Sequence, residues 1–147
     1  LKSVEIFDRA IQVKPNNAEI YNFHAIVLIH LKKFEEAIKS WNCAIKIKPD
    51  YTEAYYNRGN AFFDLKKIES ALASYDKAIQ IKPDYAEAYK NRGNVFFDLK
   101  KIESALASLD RAIQIKPDYA EAYTSRGNVF RKLKKITSIN IPKANVK

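Results

Sequence analysis

Apolar and aromatic residues recur along this chain at helical rather than alternating spacing. From Ala86 they fall at Ala88, Tyr89, Val95, Phe96, Phe97 and Leu99, and from Ile102 at Ala105, Leu106, Leu109, Ala112, Ile113 and Ile115. Steps of three and four residues gather such a set on one face of a helix. The pattern predicts two amphipathic helices, joined at Lys100-Lys101 and closed by Pro117-Asp118. Proline cannot continue a helix, and an aspartate after it can cap the next one.

The same pattern returns along the chain. Lys-Pro begins at Lys14, Lys48, Lys82 and Lys116, and Arg-Gly-Asn at Arg58, Arg92 and Arg126, each with a step of 34 residues. Residues 52–85 and 86–119 are identical at 29 of 34 positions, so one helix pair has been duplicated. Gly59, Gly93 and Gly127 share one slot inside the first helix. Glycine there costs about 1 kcal/mol relative to alanine, a cost that points to two helix backbones which a side chain would keep apart.

Units counted from Ala18, Thr52, Ala86 and Ala120 share a signature. Slot four holds Tyr21, Tyr55, Tyr89 and Tyr123; slot eight holds Ala25 and the three glycines; slot eleven holds Leu28, Phe62, Phe96 and Phe130. In the second helix come small Ala37, Ala71 and Ala105, then large Trp41, Tyr75 and Leu109, then Ala44, Ala78 and Ala112 before the prolines. This signature resembles the tetratricopeptide repeat family, over roughly residues 1–135. The resemblance implies an all-α fold, an alpha-alpha superhelix built as a solenoid of antiparallel helix pairs. It divides the chain into a second helix of a truncated repeat (1–17), three repeats (18–51, 52–85 and 86–119) and the first helix of a fourth (120–135). An irregular tail (136–147) follows, in which Ile139 and Ile141 alternate and Pro142 is out of register. A solenoid normally ends in a polar capping helix. Neither end supplies one, so exposed apolar ends and a homo-oligomer formed through them are expected. A chain that opens at Leu1 and lacks Met reads as a processed part of a longer one.

The resemblance also places the first helices along a concave ligand-binding groove. Its slots hold Tyr56, Asn57, Asn60 and Phe63 in one repeat, Lys90, Asn91, Asn94 and Phe97 in the next, and Asn128, Arg131 and Lys132 in the last. The first repeat is more apolar there, with Asn22, Phe23, Ile26, Ile29 and His30. A row of amides that donate and accept can pair with successive peptide groups of an extended ligand. The rows Asn57–Asn91 and Asn60–Asn94–Asn128 are similar to the asparagine ladder in the tetratricopeptide region of O-linked N-acetylglucosamine transferase. Tyr56, Phe63 and Phe97 would be the anchors. The family's carboxylate clamp is missing: Lys90 and Asn94 fit, but Ser125 occupies the next required slot.

Slot seven holds Arg58, Arg92 and Arg126 where the family usually has leucine. A buried guanidinium needs a partner. Asp76 and Asp110 stand 18 residues after Arg58 and Arg92, so Arg58–Asp76 and Arg92–Asp110 are expected as structural pairs within a repeat. Arg126 has no such counterpart and is expected to be freer to meet a ligand.

Composition narrows the function. At 47% apolar and 29% charged residues the chain is globular, not disordered. Its longest apolar run, Ala25–Ile29, is far short of the ~20 residues that span a bilayer. No signal peptide is visible. A single cysteine, Cys43, rules out an internal disulfide framework and fits a reducing, cytoplasmic compartment. The net charge of +9 points to an anionic partner, yet the charges of the four first helices cancel, so the excess lies on second helices, turns, connectors and tail. Only the last first helix is basic, at Arg126, Arg131 and Lys132, where an acidic stretch of a ligand would sit. His24 and His30 are six residues apart on different helix faces, and no nucleophile, phosphate loop or metal-ligand spacing is present. The expectation is a non-enzymatic scaffold that binds a protein or peptide, without cofactor, metal or membrane span. Alternatives are the substrate-recruiting region of a larger enzyme such as a glycosyltransferase and, less favoured, a single-stranded nucleic-acid binder. Helical-repeat proteins that read RNA use other repeat lengths and side-chain codes.

Overall fold

The computed structural model describes residues 2–139, and these form eight α-helices. They are α1 (Lys2–Val13), α2 (Ala18–His30), α3 (Phe34–Ile47), α4 (Thr52–Asp64), α5 (Ile68–Ile81), α6 (Ala86–Asp98), α7 (Ile102–Ile115) and α8 (Ala120–Ile139). The chain divides into two compact units, Leu1–Asp84 and Tyr85–Lys147. In the first, α1 packs on α2, α2 on α3, α3 on α4 and α4 on α5. In the second, α6 packs on α7, and α8 packs on both.

The turn inside each pair has one design. After α2, the N–H of Lys33 reaches the Leu28 carbonyl and that of Lys32 the Ile29 carbonyl, both at 2.9 Å. This double bond pattern satisfies carbonyls that a helix end leaves open. It requires left-handed backbone, and Lys32, Lys66 and Lys100 have φ of 58°, 60° and 59°. A residue with a Cβ is disfavoured there by ~1–2 kcal/mol, a cost glycine escapes, though glycine loses more entropy on folding. Lys66→Gly should therefore raise stability by ~0.5–1 kcal/mol in chemical denaturation, with Lys32→Gly and Lys100→Gly acting alike.

The expectation that aspartate caps the following helix is corrected at α4. Its cap is Tyr51, which makes no side-chain cap bond. Asp50 stands one residue too early, and its backbone carbonyl accepts the Thr52 N–H at 2.9 Å. A side-chain cap does occur at α2, where Asn17 Oδ1 accepts the Ile20 N–H at 3.1 Å.

Small residues let the helices approach. A Cβ placed on Gly59 would lie 2.7 Å from the Tyr75 ring, and one on Gly93 2.8 Å from Leu109 Cγ. The expected approach of two backbones is thereby corrected: a large second-helix side chain fills the space that glycine vacates. In the first repeat the equivalent pair is Ala25 and Trp41, both buried in a cluster with Leu28, Ala37 and Ala44.

The helix expected over 120–135 runs on to Ile139, so residues 136–139 are helical rather than irregular. Lys134 occupies the slot of Lys100 but does not adopt positive φ. The hydroxyls of Thr137 and Ser138 instead donate to carbonyls of Lys134 and Lys135, at 3.0 and 2.9 Å. The rest of the expected tail, with Ile141 and Pro142, lies outside the described residues.

Candidate functional site

Slot seven joins neighbouring helices. Arg58 Nε donates to Ser74 Oγ at 3.2 Å and its Nη1 to Asn42 Oδ1 at 2.7 Å. Arg92 Nε donates to Ser108 Oγ at 3.2 Å, and Arg126 forms an ion pair with Asp110. His24, in the same slot, holds Nδ1 2.9 Å from Ser40 Oγ and Nε2 3.7 Å from Asp8. For His24, Arg58 and Arg92 the residue sixteen ahead is a serine, and for all four the one sixteen behind is an acid or amide.

The expected pairs Arg58–Asp76 and Arg92–Asp110 are thereby corrected: Arg58 binds Ser74 and Asn42, and the partner of Asp110 is Arg126. Residues two apart on a helix point ~200° apart, so Ser108 and Asp110 cannot face the same guanidinium. Arg126, expected to be free, is engaged. Burial holds the Arg58 guanidinium below its ordinary pKa, because desolvation penalises the charged form. The rings of Tyr55 and Phe62 lie 5.2 and 5.8 Å from it.

The first unit carries a recess of about 150 Å³. Ile26, Ile29 and Trp41 contribute its apolar lining, and Asn57, Asn60 and Asp64 its polar lining. His30 also lines it, with Nδ1 held 2.8 Å from the Ile26 carbonyl oxygen. Of the expected groove residues, Asn57 and Asn60 meet here. Asn60 accepts a hydrogen bond from Tyr75 Oη at 2.7 Å, so part of its capacity serves the fold. The Tyr56 ring lies 6.2 Å from that of Tyr75, and the Lys66 ammonium sits 5.4 Å from the half-buried Phe63 ring. Asn22 is buried and accepts from Trp41 Nε1 at 2.9 Å, so it offers no open groove surface.

A recess of about 280 Å³ lies in the second unit. Phe97, Ile102 and Ile136 supply apolar surface, with Lys100, Lys132 and Asp98 beside them. Lys90 is occupied: its ammonium lies 3.2 Å from a Glu121 carboxylate oxygen and 5.9 Å from the Tyr119 ring. Asn128 accepts from Arg131 on the same helix. Asn91 and Asn94 are half-buried on α6. Slot counting along the first helices missed Trp41, Lys100 and Ile102, which come from a second helix or a turn. Trp41 differs from its counterparts Tyr75 and Leu109, and that break in the repeat was the available signal.

Among the described residues no group of three or more His, Cys, Asp or Glu could hold a metal, and no helix is long and apolar enough to cross a membrane. Cys43 is exposed on α3.

A family model described as TPR repeat matches residues 27–66, 59–100 and 93–134. No curated protein sequence matches the chain. Among solved structures, the crystal structure of MamA is similar with a TM-score of 0.84 at 24% identity, covering 89% of this chain and 77% of that one. The first TPR of Spaghetti (RPAP3), bound to the HSP90 peptide SRMEEVD, has a TM-score of 0.77 at 25% identity, covering 80% of this chain and 94% of that one. The Arabidopsis OM64 TPR domain has a TM-score of 0.75 at 23% identity, covering 78% and 95%. The fold class is the all-α helical-repeat superhelix that the sequence pattern implies.

Proposed function

Since this chain belongs to the tetratricopeptide repeat family, we propose that it is a non-enzymatic interaction module holding an extended peptide against the first helices of its repeats. The recess of the first unit carries this reading, because it joins an apolar lining to the amide of Asn57. An extended peptide presents side chains alternately, with peptide groups between them. Ile26, Ile29 and Trp41 suit an apolar side chain, and Asn57 can donate to one peptide group and accept from another. Phe63 is an anchor of the first unit; in the second, Asn91 and Asn94 take the same role on α6, with Phe97 as anchor. Lys132 and Lys100 suit a carboxylate beside the Phe97 recess, with Arg131 one residue before Lys132. The RPAP3 domain, a relative at 25% identity, holds a peptide with an acidic end, which is compatible with this chemistry.

Peptides selected from a phage-displayed random library on the immobilised chain test the reading. Selected sequences should pair an apolar residue with extended backbone, and Asn57→Ala should weaken them ~5–10-fold in fluorescence anisotropy, the worth of one hydrogen bond. No enrichment, or an affinity untouched by Asn57→Ala, would refute it. Salt-sensitive capture of single-stranded oligonucleotides in place of peptides would favour the nucleic-acid alternative.

A further inference from the structure

We infer that the peptide seated in the first unit's recess carries a lysine or arginine two residues from its apolar anchor, and that Asp64 holds it. This rests on the peptide reading above and adds a charge to it. The recess is built from matching slots of two repeats. Ile26, Ile29 and His30 follow one another at helical spacing on α2, Asn57, Asn60 and Asp64 do so on α4, and Trp41 joins them from α3. His30 and Asp64 are the last residues of their helices. Along α4, Asp64 stands about 10 Å beyond Asn57, the amide offered to a peptide group.

Among the described residues, Asp64 is the one carboxylate of this lining, and no lysine or arginine joins it. It is exposed, and no described residue pairs with it. The lysines of the nearby turns are turned elsewhere: Lys66 lies 5.4 Å from the Phe63 ring, and Lys33 pairs with Glu36 at 3.2 Å. His30 adds an acceptor. Its Nδ1 donates to the Ile26 carbonyl oxygen, so the neutral ring keeps a lone pair on Nε2. The wider field has the same sign. α2 carries Glu19 and no lysine or arginine, and α4 carries Glu53 and Asp64 against Arg58, so the two helices have a formal charge of −2 in a chain of +9. Arg58 itself is spent on Ser74 and Asn42. In an extended peptide, alternate side chains share one side, about 7 Å apart. With an apolar residue against Ile26, Ile29 and Trp41, the next side chain on that side lies over the rim. A lysine or arginine there can rest its methylenes on the apolar wall and bring its charge to the carboxylate. A glutamate there meets Asp64 as a like charge.

The random peptide library tests the added charge apart from the peptide reading. Enriched peptides whose binding falls with Asn57→Ala sustain that reading, and a lysine or arginine two residues before or after their apolar residue sustains the charge. In synthetic copies of those peptides, changing the basic residue to alanine should weaken binding about 2–5-fold in fluorescence anisotropy, the range of an exposed ion pair, and changing it to glutamate should weaken it further. Asp64→Asn should remove the difference between the lysine and glutamate peptides, and Asp64→Lys should reverse it, with circular dichroism unchanged in both. Asn57-dependent peptides with no basic residue at that position overturn the inference and leave the peptide reading standing. So does a lysine preference that survives Asp64→Asn. A library with no enrichment removes both.

Discussion

Trp41→Ala should destabilise the unit 1–84 by about 3–5 kcal/mol, the usual range for removing a buried large aromatic. Trp41 is 2% exposed and fills the space above Ala25 that Tyr75 and Leu109 fill above glycines. Its loss leaves a cavity between α2 and α3 and also strips Asn22 of its donor. Asn22 is 4% exposed, and a buried amide oxygen without a partner costs a further share, about 1–3 kcal/mol. The two costs separate experimentally. Trp41→Phe keeps most of the ring but removes the indole N–H, so it should recover much of the packing and retain the polar cost. Guanidinium unfolding followed by circular dichroism measures both. Hydrogen exchange should locate the damage, with amides of α2 and α3 losing protection first. A Trp41→Ala loss below ~1 kcal/mol would mean that the pair collapses around the gap.

The three glycines of slot eight should respond to alanine with opposite signs. Gly59→Ala places a Cβ 2.7 Å from the Tyr75 ring, whose hydroxyl is tied to Asn60 and whose edge meets Tyr56. That ring has little room to yield, so overpacking of ~1–3 kcal/mol should outweigh the ~1 kcal/mol gain in helix propensity. Gly93→Ala meets Leu109 and the Ala105 carbonyl oxygen, at 2.8 and 3.2 Å, and should follow Gly59. Among the described residues Gly127→Ala meets nothing within 4 Å and should stabilise α8 by up to ~1 kcal/mol. A destabilising Gly127→Ala would show that a neighbour reaches this slot within a single chain.

Much of this architecture was legible because the 34-residue period ties helix, turn and core slot together. That the glycine slot is crowded could be read before the helices were seen, but not that a large second-helix side chain does the crowding. The partners of slot seven were less legible. Asp76 at plus eighteen and Asn42 at minus sixteen are comparable distances along the chain, and only the angular phase of the second helix separates them. Asn60 looked like a ladder residue because it repeats, but repetition does not distinguish a ligand contact from a bond to Tyr75. Lys66 and its equivalents stand where glycine would be read, so the left-handed turns left no compositional trace. The run of α8 on to Ile139 passes the slot where the other first helices turn, so the period misled there.

The slot-seven contacts bear on how such a chain changes length over generations. Asp8–His24–Ser40 and Asn42–Arg58–Ser74 each reach only the helices immediately before and after. Recombination that adds or removes one whole 34-residue unit leaves every such contact with a partner of the right kind. An insertion of any other size shifts the slots and strands a buried guanidinium. Copy number is thus a variable that mutation can alter in single steps without passing through an unfolded ancestor.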